Sequence, residues 1–295
     1  MTDAVAALGQ PRTVDTALAA ASAVLSSSGV PTPDVDAELL LAHVLDLGRG
    51  VVRARSVTRS AISDADAAAY AVLVGRRAAR EPLQHITGTA AFRSMQLHVG
   101  PGVFVPRPET EGVAQHAIDV LRASPDAEPV AVDLGTGSGA IALAMATEVP
   151  RASVVAVELS PEAAVWTRRN IDAVGAVNVR LVEGDLAHAL PELDGAVSVV
   201  ASNPPYIPVG MVPRDPEVRL HDPALALYGG ADGLDVVRDL SATALRLLRP
   251  DGVLVVEHGE EQGGAIRDLL DADGWRSTAT HPDLTGRDRT TTAVR

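Results

Sequence analysis

The sequence has no cysteine and no lysine. The absence of cysteine excludes disulfides, cysteine-ligated zinc sites and thiol nucleophiles, and it is compatible with a reducing cytoplasm. The absence of lysine excludes any mechanism that depends on a lysine amine. All 25 basic residues are therefore arginine, which we interpret as a GC-rich coding bias rather than as a specialisation for bidentate anion binding.

Aromatic residues and positive charge are also scarce. Aromatics make up 2% of the chain and hydrophobic residues 46%, so the core must be built from Ala, Val, Leu and Ile. The formal net charge is -13, whereas proteins that hold nucleic acid by its phosphates normally present a basic face. We therefore expect no direct nucleic-acid binding.

Long apolar runs and metal-ligand spacings are missing as well. No apolar run is long enough to span a membrane, and the first ten residues lack the basic start of a secretory signal. The eight histidines are scattered without metal-ligand spacing. We expect a cytoplasmic protein with no membrane association and no bound metal.

The N-terminal part of the chain is predicted to be helical over residues 12–80. Thr32-Pro33-Asp34 and Ser63-Asp64-Ala65-Asp66 have the composition of helix starts, with a capping hydroxyl and acidic residues in the first turn. A length of 295 residues favours two domains. We assign residues 1–84 to a helical domain that docks the substrate, residues 85–107 to a linking β-hairpin and residues 108–295 to the main domain.

The main domain alternates short Val-rich runs with helical patterns. The predicted strands are Val130 to Leu134, Val154 to Glu158, Val179 to Val182, Val197 to Ala201 and Val253 to Glu257, and a helix over Leu234 to Leu248 is stopped by Pro250-Asp251-Gly252. Strands that are apolar on both faces indicate an α/β fold with a doubly wound, mostly parallel sheet. Ligands of such sheets bind at the carboxyl ends of the strands.

A glycine-rich loop follows the first of these strands, in the order Asp133-Leu134-Gly135-Thr136-Gly137-Ser138-Gly139. Glu158 ends the next strand, where a carboxylate can accept hydrogen bonds from ribose hydroxyls. The G-x-G-x-G spacing differs from the dinucleotide fingerprint G-x-G-x-x-G. The charge of Asp133 disfavours a pyrophosphate and suits an ammonium group, such as that of S-adenosylmethionine.

Two further residues follow the third strand. Asp185 could accept a hydrogen bond from an adenine amino group, with Leu186 against the ring. A capping aspartate in a turn is an equally good interpretation of the same spacing.

Asn203-Pro204-Pro205-Tyr206 follows the fourth strand. The two prolines stiffen the loop and remove backbone donors, which leaves carbonyl oxygens, the Asn203 side-chain oxygen and a flat tyrosine ring. Such a loop suits a planar NH₂ group, whose two N–H bonds the Asn203 side chain and the Pro204 carbonyl could accept. Adenine N6, guanine N2 and the side-chain amide of glutamine all fit this description.

Motifs over nearly the whole chain resemble those of the bacterial peptide-chain release factor glutamine methyltransferases. The shared segments are Arg80-Glu81-Pro82-Leu83-Gln84-His85-Ile86-Thr87-Gly88, Val105-Pro106-Arg107-Pro108-Glu109-Thr110-Glu111, residues 133–139, residues 203–206, Gly229-Gly230-Ala231-Asp232-Gly233-Leu234 and Gly286-Arg287-Asp288-Arg289.

The resemblance implies a Rossmann-like class I methyltransferase fold with seven strands, an N-terminal helical domain and a hairpin linker. It implies S-adenosyl-L-methionine as the cofactor and, as the substrate, the glutamine of a Gly-Gly-Gln tripeptide in release factors. The residues that would contact the cofactor are Asp133, Gly135, Thr136, Gly137, Ser138, Gly139, Glu158, Asp185, Leu186 and Asn203. The residues that would hold the glutamine are Asn203, Pro204, Pro205 and Tyr206, with Arg107 and Glu109 beside them.

The chain departs from the family pattern at two positions. Glu158 stands where aspartate is more usual, and Leu186 stands where an aromatic residue often lies. A sister family that methylates a ribosomal-protein glutamine has a different Pro-Glu-Thr-Glu stretch, so residues 107–111 favour the release-factor branch. Our hypothesis is that this segment lies beside the active site and helps to set substrate choice.

Three other function classes compete with this interpretation. Nucleic-acid amino-methyltransferases use similar loops but need a target-recognition region that is usually basic. A dehydrogenase is disfavoured by the glycine spacing, and a non-catalytic binding protein is disfavoured by the intact Asn203 loop.

Overall fold

The computed structural model describes residues 12–295. The N-terminal segment that bears on the absence of a secretory signal lies outside this range. The chain divides into two compact units. The smaller contains the residues up to Gly88 together with Arg214–His221, and the larger contains Thr89–Pro213 and Asp222–Arg295. The chain therefore leaves the larger unit after Pro213 and returns to it at Asp222.

The smaller unit is helical. Its helices are α1 (Val14–Ser27), α2 (Pro33–Leu45), α3 (Arg49–Val57), α4 (Asp64–Ala78) and α5 (Leu83–Thr87), to which the inserted segment adds α9 (Pro216–His221). The two predicted helix starts are confirmed. Thr32 is the N-cap of α2, and the Ser63 side chain accepts a hydrogen bond from the backbone N–H of Asp66 at the start of α4.

A buried ionic cluster ties α9 into the smaller unit. The Arg77 guanidinium donates to Asp36 at 2.7 Å and to Glu217 at 2.7 Å. Arg80 donates to the same Glu217 carboxylate at 2.8 Å. Burial opposes the ionisation of Glu217, but the hydrogen bonds from Arg80 and Arg77 keep its pKa below the ordinary value. The carboxylate is therefore held charged inside the unit.

The larger unit begins with the predicted hairpin. Strands β1 (Thr89–Phe92) and β2 (Met95–His98) pair antiparallel. Phe92 and Leu97 are buried against α6 (Thr110–Ala123) and α7 (Ala140–Glu148). The hairpin is thus packed on the core of the larger unit.

A seven-stranded sheet forms the centre of the larger unit, in the order β5-β4-β3-β6-β7-β9-β8. Its strands are β3 (Val130–Leu134), β4 (Ser153–Glu158), β5 (Val179–Glu183), β6 (Val197–Ser202), β7 (Leu248–Glu257), β8 (Arg276–Pro282) and β9 (Asp288–Val294). Strands β3 to β7 run parallel, and β9 pairs antiparallel with both β7 and β8. The predicted parallel arrangement is confirmed.

The predicted start of β7 at Val253 is wrong. The strand begins at Leu248, directly after helix α10 (Asp235–Leu247), because Leu248 already pairs with Val197. The Pro-Asp-Gly sequence lies inside the strand, where a register shift and the positive φ of 61° at Asp251 accommodate it.

Helices cover both faces of the sheet. Alternate strand residues such as Ala131 and Val199 pack against α6 and α7, whereas Val132 and Val200 pack against α10 and α11 (Gly263–Ala272). The remaining helix, α8 (Pro161–Val174), follows β4. Both faces are therefore buried, as expected for a doubly wound fold. Within residues 12–295, no helix combines the length and the apolar character needed to cross a bilayer.

Candidate active site

The carboxyl ends of the parallel strands gather the predicted site residues at one edge of the sheet. The register pairs Leu134 with Val157, and Ser202 with Val256. The glycine loop after β3, Glu158 at the end of β4 and Asn203 after β6 therefore start from the same edge. Glu257, which ends β7, joins them there.

The glycine loop needs its glycines for two different reasons. Gly135, Gly137 and Gly139 have φ values of 76°, 60° and 87°, which residues other than glycine rarely adopt. A Cβ atom on Gly135 or Gly137 would meet nothing within 4 Å. A Cβ on Gly139 would lie 3.2 Å from the Thr167 side chain. The first two glycines thus leave open space beside the loop, whereas the third permits close packing at the start of α7.

Helix α8 holds the loop from one side. The Thr167 hydroxyl donates to the Gly137 carbonyl at 2.6 Å. The Asn170 side-chain amide donates to the Ser138 carbonyl at 2.8 Å and to the His98 carbonyl at 3.0 Å. Sequence reasoning missed both residues, although their spacing of three places them on one helix face.

Asp133 is fully buried. Its Oδ2 accepts from the Thr136 hydroxyl at 2.6 Å and from the Ala142 backbone N–H at 3.1 Å, which fixes the loop on the start of α7. Its Oδ1 has no hydrogen-bond partner among residues 12–295. Burial raises the pKa of this carboxyl group to about 7.

Glu158, at the end of β4, is hydrogen-bonded to the glycine loop and to the residue that precedes α8. Its Oε2 accepts from the Gly137 backbone N–H at 2.7 Å and its Oε1 from the Ser160 N–H at 2.8 Å. Burial raises its pKa, and the backbone N–H groups of Ser160, Gly137 and Leu159 oppose that effect. Each carboxylate oxygen retains a second lone pair, so the group can accept two further hydrogen bonds.

Asp185 and Leu186 lie after β5. Asp185 is exposed, and its Oδ1 accepts from the Ala187 backbone N–H at 3.0 Å, so it caps the short 3₁₀ segment Leu186–His188. Leu186 is half-buried and packs against the core. The capping interpretation is correct for one carboxylate oxygen, and the other remains available as an acceptor.

The loop formed by residues 203–206 is fixed at both ends. The Ser202 hydroxyl donates to the Leu134 carbonyl at 2.6 Å. The Asn203 side-chain Nδ2 donates to the Thr110 hydroxyl oxygen at 3.3 Å. The Gln262 side-chain amide donates to the Tyr206 carbonyl at 3.0 Å. No donor within residues 12–295 pairs with the Pro204 carbonyl. The loop is stiff yet presents an unused acceptor.

Tyr206 and Pro205 pack against the glycine-rich segment that follows them in the chain. A Cβ atom on Gly229 would lie 2.3 Å from the Pro205 carbonyl oxygen, and one on Gly233 would lie 2.3 Å from the Tyr206 carbonyl oxygen. These glycines therefore make room for the loop backbone. Burial raises the pKa of the Tyr206 hydroxyl to about 12, and the charge of Glu257 contributes to the rise.

The segment of residues 107–111 lies beside this loop. Arg107 donates to the buried Asp222 at 3.0 Å, and its guanidinium carbon lies 5.0 Å from the centroid of the Phe104 ring. Thr110 contacts Asn203, and the charges of Glu109 and Arg107 both act on the pKa of Tyr206. Sequence reasoning placed the segment near the site but missed the contact of Thr110 with Asn203, as it missed Glu257 and Gln262.

Comparison with known proteins gives matches along the chain. Residues 16–88 match the family described as PrmC N-terminal domain, and residues 131–211 match the family described as methyltransferase domain. A release factor glutamine methyltransferase from Streptomyces coelicolor is 53% identical over 279 residues, which cover 94% of this chain and 96% of that protein. The chain belongs to the release factor glutamine methyltransferase family.

The comparisons give two further proteins that are similar to this chain. The release factor glutamine methyltransferase from Bifidobacterium longum is 45% identical over 93% of this chain and 97% of its own length. A crystal structure of a release factor-specific protein-(glutamine-N5) methyltransferase from Alicyclobacillus acidocaldarius is 28% identical, with a TM-score of 0.41, over 67% of this chain and 98% of that one.

The protein is accordingly an S-adenosylmethionine-dependent methyltransferase, and the residues at the strand ends fit this cofactor. The open space beside Gly135 and Gly137 leaves room for a ligand against the loop backbone. Glu158 and Asp185 offer acceptors for ribose hydroxyls and an adenine amino group. The unpartnered Oδ1 of Asp133 suits the ammonium of the methionine part.

Proposed function

We propose that this protein transfers a methyl group from S-adenosylmethionine to the side-chain amide nitrogen of the glutamine in the Gly-Gly-Gln motif of peptide-chain release factors. The observation that carries the proposal is that two hydrogen-bond acceptors in the loop of residues 203–206 are left without a donor. Asn203 uses its Nδ2 on Thr110, so its side-chain oxygen is left for another donor. The Pro204 carbonyl is unpaired within residues 12–295.

An amide nitrogen is a weak nucleophile because its lone pair is shared with the carbonyl group, a conjugation that gives a rotation barrier of about 18–20 kcal/mol. The Asn203 side-chain oxygen and the Pro204 carbonyl accept its two N–H bonds. They hold the nitrogen in place and favour the positive charge that develops on it. The Tyr206 ring lies against the flat face of the amide. When bound, the cofactor supplies an electrophilic methyl group on a sulfonium.

The nitrogen needs no strong base before transfer, because it becomes acidic once it is methylated. The cofactor would be left as its neutral thioether, the methylated nitrogen releases one proton to the solvent, and the product is a neutral N-methyl amide. Catalysis by this chain is thus orientation together with preorganised acceptors. This account requires neither a metal nor a lysine.

Two observations support this substrate. The relatives that cover nearly the whole chain carry the name release factor glutamine methyltransferase. The net charge of -13 suits a protein substrate better than a nucleic acid. We assign substrate docking to residues 1–84, linkage to residues 85–107 and catalysis to residues 108–295, with the reaction in the cytoplasm.

The test combines the protein with labelled S-adenosylmethionine and a purified release factor, beside a release factor in which the Gly-Gly-Gln glutamine is replaced. Mass spectrometry locates the added methyl group. We expect transfer to the wild-type factor only, and its loss in Asn203→Ala. Methylation of a ribosomal-protein glutamine or of adenine in DNA, with none on the release factor, would overturn the proposal.

A further inference from the structure

The side-chain amide of Asn203 can face the substrate in two ways. Its oxygen and nitrogen are almost alike in shape, so the orientation depends on the hydrogen-bond partners. Only the orientation with the oxygen toward the substrate can accept a substrate N–H bond. The partner that selects this orientation is Thr110, whose hydroxyl oxygen accepts from Asn203 Nδ2 at 3.3 Å.

A hydroxyl can also donate, so Thr110 selects one orientation only if its own proton is committed elsewhere. The candidate acceptor is Glu257, whose pKa the Thr110 hydroxyl lowers. The register pairs Ser202 with Val256, which brings Asn203 and Glu257 side by side at neighbouring strand ends. Both the Thr110 hydroxyl and the Asn203 side chain favour the charged form of the Glu257 carboxylate.

The surroundings of Glu257 distinguish it from a surface acid. It is 3% exposed, and its Oε2 has no hydrogen-bond partner within residues 12–295. The charged groups that act on it are Glu109, which opposes its ionisation, and Arg289, which favours it. Tyr206 lies within range of its charge as well. Burying a charged carboxylate costs folding free energy unless the carboxylate is paired or hydrogen-bonded.

We propose that Thr110 and Glu257 are positioning residues that hold the Asn203 amide with its oxygen toward the substrate. The ionised carboxylate can only accept, so the Thr110 hydroxyl donates to it and turns a lone pair toward Asn203 Nδ2. A protonated Glu257 can donate to the Thr110 hydroxyl, which then donates to Asn203. The direction of these hydrogen bonds is thereby reversed, and the Asn203 side chain presents its nitrogen to the substrate instead of its oxygen. The proposal rests on the proposed function and assigns Thr110 a role in catalysis rather than in substrate choice.

The first test replaces the hydroxyl at constant shape. Thr110→Val is expected to lower kcat by about 10- to 100-fold, the range for misplacing a group that orients the substrate, with the KM for the cofactor unchanged. Thr110→Ser restores the hydroxyl and should recover most of kcat. Ser241→Ala is the matched control, because the Ser241 hydroxyl also bridges a carboxylate, Asp273, and an N–H donor, Trp275, away from the strand ends. It should leave kcat unchanged.

The second test follows pH. Burial raises the pKa of Glu257 to about 7, so kcat of the wild type should rise with pH through a midpoint near that value. Glu257→Gln should remove this dependence. If kcat of Glu257→Gln still falls at low pH, the titrating group is another one, such as Asp133 or Glu158, and the proposal is overturned. A Thr110→Val enzyme with wild-type kcat would also overturn it.

An activity-independent measurement separates this proposal from the proposed function. The side-chain NH₂ resonances of Asn203, identified by their loss in Asn203→Asp, should titrate with a midpoint near pH 7 in the wild type and not in Glu257→Gln. A titration of this kind in a protein that fails to methylate release factors would sink the proposed function alone. Its absence in an active enzyme would sink the positioning role alone.

Discussion

Gln262 holds the Tyr206 carbonyl from the start of α11. Its side-chain amide donates to that carbonyl at 3.0 Å, and its side-chain oxygen accepts from the Gly259 backbone N–H at 2.9 Å. One residue therefore joins the turn after β7 to the loop after β6. The two strands that carry Asn203 and Glu257 are thus linked beyond the sheet itself.

Removing the donor of Gln262 should loosen the loop. Gln262→Glu keeps the acceptor for Gly259 but cannot donate to Tyr206 when ionised, so we expect a fall in kcat of about tenfold, equivalent to the roughly 1.4 kcal/mol that separates tenfold rates. Gln262→Leu should lose the same factor and also some thermal stability. Steady-state kinetics and calorimetry measure the two effects. Wild-type kcat in Gln262→Glu would contradict the expectation.

The contact of Gly229 with Pro205 makes a second prediction. A methyl group at Gly229 would lie 2.3 Å from a backbone carbonyl, so Gly229→Ala must displace the catalytic loop, and we expect kcat to fall at least about tenfold. Gly112→Ala is the control, because a Cβ there meets nothing within 4 Å inside helix α6. That change should stabilise the protein by about 0.5–1 kcal/mol and leave kcat unchanged.

Glu158 should govern cofactor affinity rather than the rate at saturation. Glu158→Ala removes the acceptor for the Gly137 and Ser160 N–H groups and for the ribose. We expect a loss of S-adenosylmethionine affinity of about 10- to 100-fold, since a hydrogen bond to a charged group is worth about 1.5–3 kcal/mol. Titration calorimetry measures this. Glu183→Ala, the exposed neighbour across the strand pair, should bind as the wild type does, and equal losses in both variants would refute the role.

The sequence was informative wherever the signal was local. Short Val-rich runs predicted β3 and β6 within a residue of their observed bounds, and the glycine and proline spacing predicted both loops. The partners of Asn203 could not be predicted in the same way. Thr110 precedes it by 93 residues, and Glu257 reaches it only through the pairing of β6 with β7. Contacts of this kind depend on strand order, which no local pattern encodes.

The same limit applies to two features of organisation that the sequence did not predict. The extension of β7 back to Leu248 depends on its pairing with Val197. The excursion of residues 214–221 into the smaller unit depends on Glu217 meeting Arg77 and Arg80. In both cases the local sequence permits several outcomes, and a distant partner selects one.

Ionisation of the buried Asp133 should lower the stability of the folded state, although the same charge favours cofactor binding. Burial raises its pKa to about 7 from an ordinary value of 3.8, so the folded state binds the proton more tightly than the unfolded state does. The stability contributed by the protonated form is present below about pH 4 and is lost as the pH rises through 7. Asp133→Asn keeps an acceptor for Thr136 and removes the titration.

The stability of Asp133→Asn relative to the wild type should therefore increase with pH, by about 1.4 kcal/mol per unit between pH 4 and 7. Denaturant unfolding at several pH values measures the difference, in which the other titrating groups cancel. The variant should also bind S-adenosylmethionine more weakly. A difference in stability that does not depend on pH would show that Asp133 ionises normally.

Glu217 should determine whether α9 stays in the smaller unit. Glu217→Ala leaves Asp36 as the carboxylate partner of the buried Arg77 and leaves Arg80 with the longer contact to Asp215 at 3.9 Å. Breaking one side of a buried ion pair costs about 3–5 kcal/mol, because the remaining charge stays desolvated. We expect faster hydrogen exchange across α9 and a lower unfolding temperature. Glu192→Ala removes an ion pair with Arg180 in which both side chains are 54% exposed, and an exposed pair contributes at most about 1 kcal/mol. If both variants unfold alike, the buried cluster does not hold the inserted segment.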